Sequence, residues 1–266
     1  MPPKELRCAL ATAVDAARAA GELMRRHRRA PKRVHAASQH DLKLELDVRC
    51  QRLIERRLRA AFPDWGMLGE EGSVSAAVGP RWVVDPIDGT VNFAYGIPHA
   101  CVSIALEVPA PEPARRPVAG VVYDPFCEEL WTAQRGQPAR LNGRVVRVSE
   151  RTRLAEAIVS LGAGKRLRAI RHMVEALAGL VHRVRKLRSM GSAALALAYV
   201  ASGRFDAYAE IGLHWWDIAA GGLLVECAGG RFEVREHADA GFELLAHNGR
   251  IGPRLKRLLS RVPPRT

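Results

Sequence analysis

Three acidic clusters stand where chemistry could be done, each at the edge of an expected element. Gly69-Glu70-Glu71-Gly72 lies in a loop, Asp85-Pro86-Ile87-Asp88-Gly89-Thr90 follows the apolar run Arg81-Trp82-Val83-Val84, and Trp215-Trp216-Asp217 opens a helix. In the middle cluster a strand through Val83 and Val84 delivers Asp85 to its C-terminal end. Pro86 has no N–H for a further ladder bond, so the chain is expected to turn there. Carboxylates three residues apart converge in a turn, whereas in an extended strand they face opposite sides. Two converging carboxylates repel unless a cation sits between them, and hard oxygen donors without a nearby His or Cys favour Mg²⁺. Gly89 and Thr90 offer backbone N–H groups at an expected helix start, which suits an anion. A metal site and an anion site on one short loop point to phosphoryl chemistry. Each piece also has a plain structural reading. Asp-Gly is a common turn, Asp217 and Asp47 stand where N-caps would, and Glu70-Glu71 suits a solvated loop.

The elements that must position these residues follow from hydrophobic period. Leu6, Leu10, Ala13, Ala17, Ala20 and Met24 recur every three or four residues, predicting a helix over 5–29 that Pro31 ends. A second amphipathic helix is expected over 48–61, with Leu53, Ile54, Leu58 and Ala61 inward. Strands are expected at 81–84, 100–107 and 118–123, with the Pro-rich PAPEPARRP as a surface connection. Leu130-Trp131-Thr132 and Ala139–Val148 read as a hairpin or meander, with turns at Arg135-Gly136 and Asn142-Gly143. The second half alternates: strand 157–161, helix near 168–180, helix near 192–202, strand 205–210, and a helix from Asp217 to Ala228 closed by Gly229-Gly230. A layered α/β protein fits this order, a single domain over 1–266 whose N-terminal α+β half meets a C-terminal α/β half near residue 150.

The run WVVDPIDGTVNFAYGIPHACVSIAL closely resembles the signature of the inositol monophosphatase family, as do FPDWGMLGEEG upstream and WWDIAAGGLLVECAGG downstream. Order and spacing of all three blocks agree, and LRSMGSAA at 187–194 resembles a fourth family segment. The resemblance implies an alternating αβαβα sandwich of the inositol monophosphatase and fructose-1,6-bisphosphatase type. It implies that Glu70, Asp85 and the Ile87 carbonyl bind one Mg²⁺, that Asp85, Asp88 and Asp217 bind a second, and that a third, weaker one sits near Glu70. The amides of Gly89 and Thr90 would hold the phosphate, and the Thr90 hydroxyl, backed by Asp47, would orient or deprotonate water. Gly191, Ser192, Ala193 and Glu210 match segments that contact the organic part of a substrate. Asp47 thus stands open between N-cap and catalytic partner, with the resemblance favouring the second. His99 and His214 read as packing or hydrogen-bonding residues, and Trp215 and Trp216 as pocket wall or core. Two departures stand out. The family's D-x-V-T-x-x-D reads Asp41-Leu42-Lys43-Leu44-Glu45-Leu46-Asp47 without its threonine, and Ala163 and Gly164 occupy a stretch where relatives carry a serine that touches substrate. The chemical machinery is intact and the specificity wall altered.

The resemblance implies hydrolysis of a small phosphate monoester, inositol 1-phosphate or a similar polyol phosphate, sensitive to Li⁺ and without a covalent intermediate. Fructose 1,6-bisphosphate, histidinol phosphate and 3′-phosphoadenosine 5′-phosphate are the alternatives. Relatives usually form homodimers, and some bacterial ones partner RNA polymerase. Composition bears on the last point: 41 Lys and Arg against 28 Asp and Glu give a net charge of +13. Arg144–Arg188 holds 12 basic and 3 acidic residues, and the tail from Gly249 holds six basic residues and no acid. Such a surface either solvates helix faces or binds nucleic acid with strong salt dependence. No apolar run has the length of about 20 residues that spans a bilayer, and no secretory signal is evident. Five cysteines without CxxC spacing argue against disulfides and structural zinc, so a cytoplasmic protein is expected.

Overall fold

The computed structural model describes all residues except 31–33, 39–40, 73, 76–77, 112–113, 163, 165–166, 238–240 and 260–266, and leaves out the side chains of 34–38, 41–43, 74–75, 168 and 172. The first half holds α1 (Pro3–His27), β1 (Val34–Ser38), β2 (Asp41–Leu44), α2 (Glu45–Ala61), β3 (Gly66–Gly69), β4 (Val74–Ser75), β5 (Arg81–Asp88) and α3 (Thr90–Ala94). It continues through β6 (Cys101–Pro109), β7 (Arg115–Asp124), β8 (Glu129–Gln134), β9 (Arg140–Leu141) and β10 (Arg144–Val145). The second half holds β11 (Ile158–Leu161), α4 (Leu167–Leu180), β12 (Lys186–Arg188), α5 (Ala193–Ala201), β13 (Ala207–Leu213), α6 (Trp215–Cys227), β14 (Arg231–His237), β15 (Gly241–His247) and α7 (Gly252–Leu259).

The strands form a β1–β2 ribbon and two larger sheets. One has eight strands in the order β10-β9-β8-β7-β6-β5-β3-β4; the other has five, β12-β11-β13-β15-β14. Alternation along β5, β6 and β7 sends one set of side chains to α1 and α2 and the other to α5 and α6, giving two separate apolar clusters. The five-stranded sheet closes over the other side of α5 and α6, and its far face packs on α4 and α7. The layers therefore run helix, sheet, helix, sheet, helix, as the resemblance implied. Helix α5 is buried almost all round, which its composition AALALAYVA permits because it carries no charge.

Three sequence expectations need correction. The strand RWVV does not end at Pro86 but runs to Asp88, with a register shift between Asp85 and Asp88. Asp85 stands opposite Ser103 and Asp88 opposite Cys101, so β5 carries one residue more than β6 across that step. Asp47 is not an N-cap: α2 begins two residues before it, at Glu45, with Leu44 at the cap position. Asp217 likewise lies inside α6, behind His214. In both helices the acid sits at the third position and reaches back, Asp47 Oδ2 to the Leu44 N–H at 2.7 Å and Asp217 Oδ2 to the His214 N–H at 2.6 Å. The turns at Gly136 and Asn142-Gly143 have the positive φ expected of them. Of the segments read from sequence, Pro31, Ala163, Lys165, Arg166 and part of PAPEPARRP and of the basic tail lie outside the described residues.

Candidate active site

The extra residue in β5 sets the geometry. On a regular strand, residues three apart face opposite sides, and one added residue returns them to the same side. Asp85 and Asp88, both buried, thereby share one environment with Glu70, at the end of β3, and Asp217, at the start of α6. Burial raises the Asp85 carboxyl well above its ordinary range, and the charges of Glu70, Asp88 and Asp217, with a hydrogen bond to Glu70, raise it further. Asp217 is raised for the same reasons, by burial first and then by Asp88. Glu70 is held from behind: its N–H donates to the Val84 carbonyl at 3.2 Å, and Gln51 Oε1 accepts the Glu71 N–H at 2.9 Å.

Asp88 is positioned by α5. Oδ2 accepts the Ser192 hydroxyl and the Ala194 N–H (2.7 Å), Oδ1 accepts the Ala193 N–H (3.2 Å), and the Cys101 thiol lies 3.7 Å from Oδ2. Burial raises this carboxyl, and the donors at the positive end of the helix oppose that rise. Ser192 also caps α5 by accepting the Leu195 N–H at 3.3 Å. Gly191, at φ +77, sets Ser192 and Ala193 at that start. Asn92, in α3, donates to the carbonyls of His99 (2.9 Å) and Met190 (2.7 Å), tying the DPIDGT turn to the 190–192 segment.

Gly89 has φ +96, and a Cβ there would lie 2.9 Å from the His99 carbonyl oxygen, so the turn requires glycine. It brings Thr90 to the start of α3, where its hydroxyl donates to the Ile87 carbonyl at 2.9 Å. That leaves the hydroxyl oxygen able to accept a hydrogen bond from a neighbouring group, and the carbonyl with a second lone pair. Glu210, on β13, accepts the Tyr208 hydroxyl and packs on the backbone of Gly162, where a Cβ would fall 1.6 Å from Oε2. Burial pushes the Glu210 carboxyl up to about 7, and Asp88 adds to the rise.

The carboxylates do not close into a ready cage: among the described residues no group of three or more His, Cys, Asp or Glu is arranged to hold a metal ion. Asp88 turns onto α5 and Asp217 onto its own helix cap. The donor chemistry nevertheless fits a hard divalent cation. Glu70, Asp85, Asp88, Asp217 and the Ile87 carbonyl are all oxygen donors, and the charges acting most strongly on Asp85 are all acidic. His99 packs edge-on to Tyr199, His214 stacks on Trp216, and the Trp215 indole donates to Glu107, while the His214 backbone N–H donates to Asp217. Asn92, Cys101, Tyr208 and Gln51 were not singled out in the sequence. Gln51 had the one local signal, lying four residues after Asp47 on the same helix face.

The chain matches the sequence model of the inositol monophosphatase family over residues 5–261. It belongs to that family. Inositol monophosphatase 2 of Solanum lycopersicum is 40% identical over 246 residues, covering 88% of this chain and 89% of the relative. The Nus factor SuhB of Xylella fastidiosa is 41% identical over 230 residues, covering 85% and 82%. Among solved structures, the extragenic suppressor protein SuhB from Bartonella henselae superposes with a TM-score of 0.88 at 35% identity, covering 96% of this chain and 99% of that one. Inositol monophosphatase from Anabaena gives 0.83 at 32%, covering 98% of each. The layer order described above is thus that of an inositol monophosphatase, and the acidic clusters lie within the matched span.

Proposed function

We propose that the chain is a Mg²⁺-dependent phosphatase that hydrolyses inositol 1-phosphate or a similar polyol phosphate. The observation that carries this reading is the gathering of Glu70, Asp85, Asp88 and Asp217 beside the Gly89–Thr90 turn, within a family of phosphatases. Bound Mg²⁺ supplies a lowered pKa for the attacking water and counter-charge for the leaving oxygen. Glu70, Asp85 and the Ile87 carbonyl would hold one ion, and Asp85, Asp88 and Asp217 a second, with a weaker third near Glu70. The N–H groups of Gly89 and Thr90 bind the phosphoryl oxygens. The Thr90 hydroxyl, a donor to the Ile87 carbonyl, would accept a hydrogen bond from the attacking water and orient it, and the Asp47 carboxylate would be the base that takes up the water's proton. The water oxygen bonds to phosphorus, the bond to the substrate oxygen breaks, and the proton ends on the released alcohol. No side chain is phosphorylated. Ser192, Ala193 and Glu210 face the organic part of the substrate.

The SuhB relatives favour a second role, as an RNA- or RNA polymerase-associated protein, in keeping with the basic segments. Apolar residues exposed along α4 and the turn after it, Val174, Leu177 and Val181, support a homodimer. Phosphate release from inositol 1-phosphate, with and without EDTA, tests the enzyme reading. Saturable binding to RNA polymerase by a chain without turnover would favour the second.

A further inference from the structure

A cleft of about 510 Å³ is lined by Arg25, Arg26, Arg28 and Arg29 at the end of α1 and by the Pro125–Glu128 turn between β7 and β8, with none of the four carboxylates in its lining. A helix C-terminus attracts basic residues through the peptide dipole, equivalent to about half a charge. That accounts for one or two arginines in the last turn. It does not account for Arg28 and Arg29, which lie beyond the last helical residue. Two acids are set among the four: Glu22 pairs with Arg25 and Arg26, and Glu128 pairs with Arg25. Crowded guanidinium groups repel one another, and an anion between them relieves this. The planar guanidinium also grips phosphate with two parallel hydrogen bonds.

The cleft is built rather than incidental. Asp124, buried, accepts the N–H groups of Phe126 (2.7 Å) and Cys127 (3.1 Å) and so fixes the turn. The half-buried Phe126 ring stacks on Phe93 of α3 at 6.3 Å and gives the cleft an apolar floor. The volume lies in the usual range of a small-molecule site, about 300–1,000 Å³. The arginines converge on one concavity rather than forming a track, which selects a compact ligand over a nucleic-acid strand. We propose that this cleft binds a small ligand carrying two or more phosphate groups, at a site separate from the carboxylates.

Calorimetric titration of the full-length chain with inorganic pyrophosphate in EDTA tests this, because the acidic site then repels the anion. The expected result is saturable one-to-one binding that Arg26→Ala/Arg29→Ala weakens at least tenfold. Arg183→Ala/Arg185→Ala, equally exposed and remote, should leave it within twofold. Circular dichroism checks that each variant is folded. Absence of saturable binding, unchanged affinity in the first variant, or equal weakening in both would overturn the proposal.

Discussion

Asp88 spends its hydrogen-bonding capacity on α5, through Ser192, Ala193 and Ala194, which holds it in place in a buried site and opposes the rise that burial imposes on its carboxyl. Asp88→Asn keeps the shape but brings an amide against those donors and removes a charged ligand. Turnover should fall by more than about 100-fold with the melting temperature lowered only slightly; near-normal turnover would contradict the roles assigned here. Glu210 gives a pH prediction. Its carboxyl ordinarily titrates near 4.5 and here near 7, so between those values the folded chain holds a proton that the unfolded chain has lost. Stability from this group is therefore present at low pH and lost as pH rises through that window, by roughly 3 kcal/mol at most. In EDTA, the melting temperature should drop between pH 5 and pH 8, and Glu210→Gln should shrink the drop; an equal drop in the variant would refute the assignment. The carboxylates were legible as residues because their types and spacing are local. Cys101 and Ser192 act on them through contacts set by tertiary packing, Cys101 across 13 residues and Ser192 across 104.

At the scale of elements, a bulge and a missing cap govern the site. A proline lacks the ladder donor and by itself signals a strand end, but the register shift in β5 absorbs that gap, and pairing with β6 is not visible in local sequence. Gly89→Ala forces a side chain into positive φ and against the His99 carbonyl. It should cost about 1–3 kcal/mol and reduce turnover together with stability, read by thermal melts and initial rates. Leu44 occupies the α2 cap position without a side-chain hydrogen bond, yet its side chain is buried in the α1–α2 cluster. Leu44→Thr would gain a cap of about 1 kcal/mol and lose about 2–3 kcal/mol of apolar packing, so the melting temperature should fall; a rise would mean the cap dominates. Helices α1, α2 and α4 are legible from their apolar period, and α5 and α6, apolar on most sides, from the length of their apolar runs. Strand β14 is not, since most of RFEVREH faces solvent and has no clean alternation.

For the whole molecule, the sequence alone supported a layered α/β protein, and the order of the layers came from the family resemblance. The physical reason is that α5 and α6, apolar on most sides, must lie between two sheets, while α1, α2, α4 and α7 show one apolar face and lie outside. Among the described residues no helix is long and apolar enough to cross a membrane. These layers bring four carboxylates together, in the arrangement proposed above to bind Mg²⁺ for phosphate ester hydrolysis. The most direct test of that role is phosphate release from inositol 1-phosphate, fructose 1,6-bisphosphate, histidinol phosphate and 3′-phosphoadenosine 5′-phosphate, each with Mg²⁺, with EDTA, and with Mg²⁺ plus Li⁺. Turnover should require Mg²⁺, be inhibited by Li⁺ and be fastest on inositol 1-phosphate or a similar polyol phosphate. Turnover that persists in EDTA, or no turnover on any of the four, would contradict that role.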